Sequence, residues 1–246
     1  GNPFIEPYRA WNYDLSAEWY FAPGAIISLA GFIKEIESFP VGSSQQITYA
    51  QSGLPLSLLT SGTPAYDAVV NGTDPNREFQ FRTTTNGEGA TIKGVELGLN
   101  LPFSAFASGA LANFGVLGNV TYVDSQQEIE FEDQIFETTF SGVSKYSANG
   151  TVYYDDGRIS IRMSGAYRSG YNTGSSGNGN FLEGYTSSFN LDAAIRYKVT
   201  DSVELMLDGN NLTDDYRYRW TDDDARRNYE NNHFGRIIMA GVRFEY

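Results

Sequence analysis

The 246-residue sequence contains no cysteine and a single histidine, His233. Without cysteine, neither a disulfide framework nor a thiolate metal site can form. One histidine argues against a histidine-based metal centre and against a Ser-His-Asp triad, since both need histidine together with other groups. His233 lies beside Asn231 and Asn232, with no candidate catalytic set around it. We therefore expect a protein that is not an enzyme and that carries no cofactor and no metal.

Long apolar runs and positive charge are also scarce. No stretch reaches the roughly 20 apolar residues that a membrane-spanning helix requires. The best candidate, residues 25–33, is short and contains Ser28 and Gly31. Lys and Arg number 17 against 30 Asp and Glu, which gives a net charge of -13. Because a nucleic-acid surface needs Lys and Arg to neutralise phosphates, we exclude nucleic acid as a partner.

What the sequence does contain is regular alternation of apolar and polar residues, most clearly at its end. One face of the last run carries Ile238, Ala240, Val242, Phe244 and Tyr246. This period of two is typical of a β-strand with one apolar face and one face that contacts water. The same pattern, punctuated by Gly, Pro, Asn or Asp, predicts further strands. They lie in residues 11–21, 25–37, 79–101, 114–122, 146–155, 158–168, 189–198 and 203–213.

The second face of these strands is too polar to line a dry core. In residues 158–168, for example, apolar side chains alternate with Arg, Ser and Ala. Such a face must contact water, and the lumen of a wide membrane barrel provides it. The predicted fold class is therefore all-β, a transmembrane antiparallel β-barrel with about nine strands in this chain. The charged residues expected to face the lumen, where they pair with one another, are Arg162, Arg168, Asp192, Arg196 and Asp208.

The connections between strands alternate between short and long, which predicts an orientation. Short turns fall at residues 22–24, 155–157 and 199–202, and Asp156-Gly157 is a strong hairpin signal. Outer-membrane barrels have short periplasmic turns and long external loops. The long polar connections, which we expect to be external, are residues 38–77, 124–144, 169–184 and 214–235.

Several segments of the sequence together carry a family resemblance. They include Asn2-Pro3, Pro7-Tyr8-Arg9-Ala10, Ile92-Lys93-Gly94-Val95-Glu96, Asn210-Asn211-Leu212-Thr213-Asp214 and Gly241-Val242-Arg243-Phe244-Glu245-Tyr246. In this order they resemble the TonB-dependent outer-membrane receptors. The resemblance covers essentially the whole chain and is strongest to the subgroup typical of Xanthomonas and Caulobacter relatives, several of which are associated with oligosaccharide uptake.

The resemblance implies a 22-strand barrel, closed by an N-terminal plug, that imports scarce ligands with energy from the TonB complex. The ligand would be an oligosaccharide or another scarce nutrient such as an iron chelate. It further implies residence in the bacterial outer membrane, contact with its lipid, and recognition of the terminal Phe244 and Tyr246 by the barrel-assembly machinery. The TonB complex would act through the plug, which has no counterpart in these residues.

The strand count suggests that residues 1–246 are the C-terminal portion of such a barrel. Nine is odd, whereas bacterial single-chain barrels have even counts. No basic region followed by an apolar core stands at the start, where Gly1-Asn2-Pro3 leads into polar sequence. An alternative is a complete small barrel of eight or ten strands with a structural or adhesive role, in which residues 79–101 form two strands rather than one interrupted near Asn86-Gly87.

Candidate ligand-binding residues lie in the last long connection, residues 214–235. Aromatic faces stack on sugars or planar ligands, and Arg and Asp provide directional hydrogen bonds. The alternative for this stretch is a solvated loop whose charges pair with one another. The Asp222-Asp223-Asp224 run lacks the spaced, glycine-turned pattern of a calcium loop, so we expect no metal there. The ligand-contacting candidates are Tyr216, Tyr218, Arg219, Trp220, Arg226 and Tyr229.

Overall fold

The computed structural model describes residues 2–87, 89–131, 134–174 and 182–245, so the terminal Tyr246 lies outside it. Its regular structure is almost entirely β-strand. Among the described residues, no helix has the length and apolar character needed to cross a membrane. The elements are β1 (Arg9–Ala22), β2 (Ala25–Thr48), α1 (Pro64–Val69), β3 (Glu78–Gly87), β4 (Ala90–Pro102), β5 (Phe114–Phe131), β6 (Gln134–Thr138), β7 (Tyr146–Asp155), β8 (Ile159–Arg168), β9 (Tyr171–Gly174), β10 (Glu183–Tyr185), β11 (Ser188–Thr200), β12 (Val203–Asn210), β13 (Tyr216–Thr221), β14 (Arg227–His233) and β15 (Ile237–Phe244), with short 3₁₀ turns at Leu56–Leu58, Phe103–Ala105 and Gly109–Asn113.

The chain divides into two compact units, and the first comprises Gly1–Ala10 and Ile36–Gly89. In this unit the C-terminal half of β2 pairs antiparallel with β3. The predicted connection over residues 38–77 is wrong in its first part, because β2 continues to Thr48. Residues 38–48 are rich in Ser, Gly and Gln, so they carry no apolar alternation, and backbone pairing with β3 forms the strand instead.

The predicted strand over residues 79–101 is two strands in the structure. β3 ends at Gly87 and β4 begins at Ala90, and Glu88 between them lies outside the described residues. Gly89 has no room for a side chain, because a Cβ there would lie 2.6 Å from the Ile36 carbonyl oxygen. The interruption expected at the glycines is therefore confirmed, and it separates two strands.

The second unit comprises Trp11–Glu35 and Ala90–Tyr246 and contains what we call the wall sheet. Its strands follow the order β1-β2-β4-β5-β7-β8-β11-β12-β15, with β6 paired to β5 as a side hairpin. From β4 onward each neighbouring pair is antiparallel. Along this path the described residues form nine strands, as the sequence predicts.

The register places apolar and polar residues on opposite faces of the wall sheet. One row of directly opposed residues is apolar, and the next row, one position along each strand, carries amides. The apolar row, from β4 to β11, is Leu97, Val120, Ala148, Tyr167 and Phe189. The neighbouring row on the other face is Gly98, Asn119, Asn149, Ala166 and Asn190.

The apolar face is exposed rather than packed against another layer. Val120 and Val152 are each 52% exposed, and Ile238 at the end of the sheet is 69% exposed. A water-soluble sheet would bury such a face, because exposed apolar patches of this size are rare on soluble proteins. The face therefore has the character of a lipid-contacting wall, with the amide-rich face toward water.

Tight turns join the wall strands at one side. Strand β7 meets β8 at Asp156 and Gly157, where Gly157 has a φ of 85° that favours glycine. The Asp156 Oδ1 accepts the backbone N–H groups of Arg158 and Ile159 at 2.9 and 2.7 Å. These hydrogen bonds, led by that of Ile159, lower the pKa of Asp156. The hairpin predicted from Asp156-Gly157 is confirmed.

Candidate ligand-binding site

Two of the long connections, the described parts of residues 169–187 and residues 214–235, fold into a second sheet, which we call the loop sheet. In the part of the chain that the structure describes, this sheet has four strands in the order β14-β13-β10-β9. β13 and β14 form a hairpin within residues 214–235, and β9 and β10 come from residues 169–187. The pairing of β10 with β13 joins the two connections into one structure. Residues that are distant in sequence thereby meet on the polar side of the wall.

Trp220 lies inside the loop sheet. Its side chain is only 7% exposed and faces Gly184 on the neighbouring strand. The Arg226 guanidinium lies over the indole, with its Cζ 5.1 Å from the ring centroid. Trp220 therefore packs the loop sheet together and has no free face for a ligand in this structure.

Arg219 holds three strands of the loop sheet together. It forms ion pairs with Glu183 on β10 and, at 3.4 Å, with Glu230 on β14. Its hydrogen bond to the Glu183 carboxylate raises the pKa of Arg219, so the guanidinium is charged under all ordinary conditions. The pKa of Glu230 is lowered, first by the hydrogen bond from the Asn232 side chain and then by Arg219. This arginine therefore serves the fold of the loop sheet.

A cavity of about 400 Å³ lies where the loop sheet meets the polar face of the wall sheet. Side chains at the ends of β8 and β11 contribute one side, and β9, β10 and β13 contribute another. The volume is in the range of small-ligand sites. Its lining residues are Arg168, Tyr171, Tyr185, Thr186, Ser188, Asn190, Asn211, Asp215, Tyr216, Arg217 and Phe234.

Two stacked arginine–tyrosine pairs dominate this cavity. The Arg168 guanidinium lies over the Tyr171 ring, with Cζ 3.7 Å from the centroid, and Arg217 lies over Tyr185 at 4.1 Å. The two tyrosine rings are 5.5 Å apart, and Arg217 Nη2 also lies 3.5 Å from the Tyr171 hydroxyl. Stacking fixes each planar guanidinium while its edge remains available for hydrogen bonds. The four residues form one continuous cationic and aromatic surface.

The floor of the cavity is built around Asn211, which belongs to one of the segments that resemble the receptor family. Its backbone N–H donates to Asp192 Oδ1 at 2.8 Å, and its Oδ1 accepts the Asp215 N–H at 2.9 Å. Asp215 is the one carboxylate among the cavity residues described, and its Oδ2 accepts the Phe189 N–H at 2.9 Å. The cavity therefore has two guanidinium groups against one engaged carboxylate, in a chain whose net charge is -13.

Tyr216 is the one residue of the six sequence candidates that lines the cavity in the described part of the chain. Its ring stacks on His233 at 4.0 Å and on Tyr218 at 5.8 Å. Tyr229 lies under the Arg219 guanidinium at 5.1 Å. Tyr218, Arg219 and Trp220 lie on β13 and Tyr229 lies on β14, whereas Arg226 lies in the turn between these two strands. Sequence reasoning missed Tyr171 and Tyr185, and it left Arg217 out of the candidate set.

The five charged residues expected to face the lumen all share the polar face of the wall sheet, according to the strand register. Arg196 and Asp208 form an ion pair of 2.7 Å. Asp192 supports Asn211, and Arg168 enters the cavity. Arg162 lies opposite Ala194 on the same face.

Two carboxylates of the Asp222-Asp223-Asp224 run, in the turn between β13 and β14, form ion pairs with arginines. Asp222 pairs with Arg227 at 3.4 Å, and Asp223 pairs with Arg226 at 3.8 Å. In the part of the chain that the structure describes, no group of three or more Asp, Glu and His side chains is arranged to hold a metal ion.

The family model described as "TonB dependent receptor-like, beta-barrel" matches residues 1–212. The chain belongs to this family. No curated protein sequence matches it. The subgroup expected from the sequence has no further support from these comparisons, whereas the all-β barrel fold and the outer-membrane location follow from the family.

Solved structures of receptor barrels share the fold. The siderophore receptor PiuA from Acinetobacter baumannii superposes with a TM-score of 0.61 at 18% identity over 98% of this chain and 29% of that protein. A variant of the ferric enterobactin receptor PfeA from Pseudomonas aeruginosa gives 0.62 at 13% identity over 100% and 32%. The ferric-catecholate import receptor Fiu from E. coli K12 gives 0.60 at 14% identity over 98% and 28%. The chain thus spans about a third of the length of these receptors.

Proposed function

We propose that this receptor barrel serves TonB-energised uptake across the outer membrane and that its ligand is an anionic iron chelate. The observation that carries the ligand class is the surface formed by Arg168, Tyr171, Tyr185 and Arg217. Two guanidinium groups provide charge-assisted hydrogen bonds for carboxylate or phenolate oxygens, and the tyrosine rings provide faces for planar groups. The chain as a whole is negatively charged and repels anions. An anionic ligand would therefore bind where positive charge is concentrated, as it is on this surface.

The named neighbours support the same ligand class. PiuA is described as a siderophore receptor, PfeA as a ferric enterobactin receptor and Fiu as a ferric-catecholate import receptor. In the assembled protein the TonB complex would act through a plug domain, and the C-terminal strand would meet the barrel-assembly machinery. Family membership favours this receptor role over a small structural or adhesive barrel.

An oligosaccharide is the second candidate, because the same cavity offers the stacking faces and amide groups that sugars use. Ser188, Asn190 and Asn211 would bond hydroxyl groups, and Tyr216 would stack on a pyranose face. A neutral sugar, however, carries no negative charge to pair with the two guanidinium groups, so their hydrogen bonds to it would be weaker than those to an anion. The two ligand classes therefore make different predictions for arginine substitutions.

The test compares ligands on the purified full-length receptor. Binding of ferric enterobactin, ferric citrate, the neutral chelate ferrichrome and maltohexaose would be measured by calorimetry. We expect an anionic chelate to bind, and Arg168→Ala or Arg217→Ala to weaken it about 10- to 100-fold, the range for a lost hydrogen bond to a charged group. Binding of maltohexaose alone, or arginine variants without effect, would contradict the proposal.

A matched control exists at the opposite end of the wall sheet. Arg158 also stacks on a tyrosine, Tyr197, at 5.4 Å and donates to its hydroxyl at 2.9 Å. Arg158→Ala removes the same kind of pair far along the strand from the cavity, and we expect unchanged binding. Uptake of radiolabelled iron that persists in a strain lacking TonB would contradict the energised mechanism.

A further inference from the structure

The connection between β6 and β7 holds one edge of the Arg168 guanidinium. Arg168 Nε donates to Ser144 Oγ at 2.7 Å, and Nη2 donates to the Gly142 carbonyl oxygen at 2.6 Å. Nε–H and the adjacent N–H of Nη2 point the same way, so both bonds lie on one edge of the planar group. Stacking on Tyr171, at 3.7 Å, fixes the plane itself. The connection therefore determines how the guanidinium is turned within that plane.

These contacts leave a defined set of Arg168 N–H groups for a ligand. A guanidinium carries five N–H groups, and the residues that the structure describes accept two of them. The other three are both N–H groups of Nη1 and the second one of Nη2. Together, Nη1 and Nη2 form a second edge that can bind two oxygens of one anionic group. Because Arg168 lines the cavity, this second edge is the one that a ligand can use.

Ser144 makes its contact with Arg168 through its side chain. The Ser144 hydroxyl accepts the Arg168 Nε–H and donates to the Ser169 carbonyl oxygen at 2.9 Å. Its proton is therefore directed at Ser169, which leaves a lone pair for Nε. Ser144 does not itself line the cavity. Any effect of this hydroxyl on a ligand in the cavity would therefore pass through the arginine.

The backbone that carries Ser144 is attached by bonds that do not involve the Ser144 side chain. The Val123 N–H donates to the Lys145 carbonyl oxygen at 2.9 Å, and the Gly142 N–H donates to the Asn172 backbone carbonyl oxygen at 2.7 Å. Since these are bonds between backbone groups, substitution of the serine leaves them in place. Removal of the hydroxyl should therefore release the guanidinium and leave the connection folded.

We propose that Ser144 is a positioning residue for ligand binding. Its hydroxyl holds one edge of the Arg168 guanidinium, so that the edge formed by Nη1 and Nη2 meets an anionic ligand. This inference rests on the proposed function, since it requires Arg168 to contact the ligand. Its structural half, a single orientation of the guanidinium, can be measured without any ligand.

The binding experiment is a double-mutant cycle on the purified full-length receptor. The probe is ferric enterobactin, or ferric citrate if that anion binds the wild type more tightly. Ser144→Ala should weaken binding about 3- to 10-fold, the range for one lost hydrogen bond. Ser144→Thr keeps the hydroxyl and should restore most of the affinity. In an Arg168→Ala background, Ser144→Ala should cause no further loss. Losses that add, or equal losses in the two Ser144 variants, would contradict the positioning role.

Ser169→Ala is the matched control, because the Ser169 hydroxyl bonds the same connection but contacts its backbone. Ser169 Oγ accepts the Tyr146 N–H at 3.0 Å, and the Ser169 N–H donates to the Tyr146 carbonyl oxygen at 2.9 Å. The second of these bonds survives the substitution. We expect Ser169→Ala to bind the chelate as the wild type does. A loss equal to that of Ser144→Ala would assign the effect to the segment as a whole and overturn the proposal.

Crystal structures of the full-length receptor without ligand test the structural half. We expect one orientation of the Arg168 guanidinium in the wild type and more than one in Ser144→Ala. If Arg168→Ala weakens binding while Ser144→Ala leaves either this orientation or the affinity unchanged, the positioning role is wrong and the ligand site stands. If Arg168→Ala is itself without effect on every chelate, the proposed site is wrong, and the positioning role is lost with it.

Discussion

Trp220 faces Gly184 across two paired strands of the loop sheet, and its Cζ2 lies 2.6 Å from where a Cβ at residue 184 would stand. The Tyr171 carbonyl oxygen is still closer to that position, at 2.2 Å. Gly184 is thus the point at which an indole and a neighbouring backbone converge. The stacked tyrosines of the cavity depend on this close packing, because Tyr171 and Tyr185 flank it on β9 and β10.

Gly184→Ala should therefore loosen the loop sheet and weaken ligand binding. The Tyr171 backbone cannot move aside as a flexible side chain does. We therefore expect the substitution to lower the free energy of unfolding by about 1–3 kcal/mol, the range for overpacking. Hydrogen exchange in β10 and β13 would report it as faster exchange. Gly150→Ala on the apolar face is the control, because a Cβ there meets nothing within 4 Å. Equal exchange in the two variants would contradict the prediction.

Two neighbouring residues of β7 should differ in how much stability an introduced charge costs. Val152 lies on the apolar face and Thr151 on the polar face, where it bonds Ser164 at 2.8 Å. Val152→Arg should lower the free energy of unfolding by about 2–4 kcal/mol near the middle of the bilayer. Thr151→Arg should cost about 1 kcal/mol, because it loses one hydrogen bond. Urea unfolding in phospholipid vesicles would compare them, and similar losses would contradict the assigned faces.

The turn at Asp156 should make stability of the β7–β8 hairpin dependent on pH. The folded-state pKa lies below the ordinary value of 3.8, so the carboxylate stabilises the hairpin above that value. This contribution is lost as pH falls through the lowered pKa. Asp156→Ala should lower the urea midpoint at neutral pH, whereas Asp156→Asn, which keeps one acceptor, should lower it less and remove the acid dependence. An unchanged acid dependence in Asp156→Asn would rule out this origin.

Acid should also loosen β14. The pKa of Glu230 is below its ordinary value of 4.5 in the folded protein, so its bonds to Asn232 and Arg219 stabilise the loop sheet above 4.5. The stabilisation disappears as pH falls through the lowered pKa. A spin label at Asn231 should become more mobile in that range, and in Glu230→Gln the step should be absent. A step that persists in Glu230→Gln would assign it to another group.

The wall sheet could be predicted from the sequence because one face is suited to lipid and the other to water, which makes apolar and polar residues alternate along each strand. Residues 158–168 were expected as a strand, and β8 runs from Ile159 to Arg168. The second half of β2 has no such period, and the sequence does not predict this part of the strand. Pairing of backbone groups, which leaves no compositional signal, decides those strands.

The cavity could be predicted only in part. Tyr171 and Tyr185 lie on two different strands of one connection and meet because β9 pairs with β10. Trp220 shows the opposite problem. An aromatic residue in a polar connection suggests ligand contact, but it is equally suited to the interior of a small sheet. In the structure Trp220 is buried in the loop sheet. Arg168 was expected on the polar face, and its position at the end of β8 brings it into the cavity.

The residues that line the cavity come from two different sheets. Arg168, Ser188 and Asn190 are held by strands of the wall, while Tyr185, Tyr216 and Arg217 belong to strands of the loop sheet. A ligand that contacts both groups of residues would join the wall sheet to the loop sheet, and its affinity would depend on residues of both sheets.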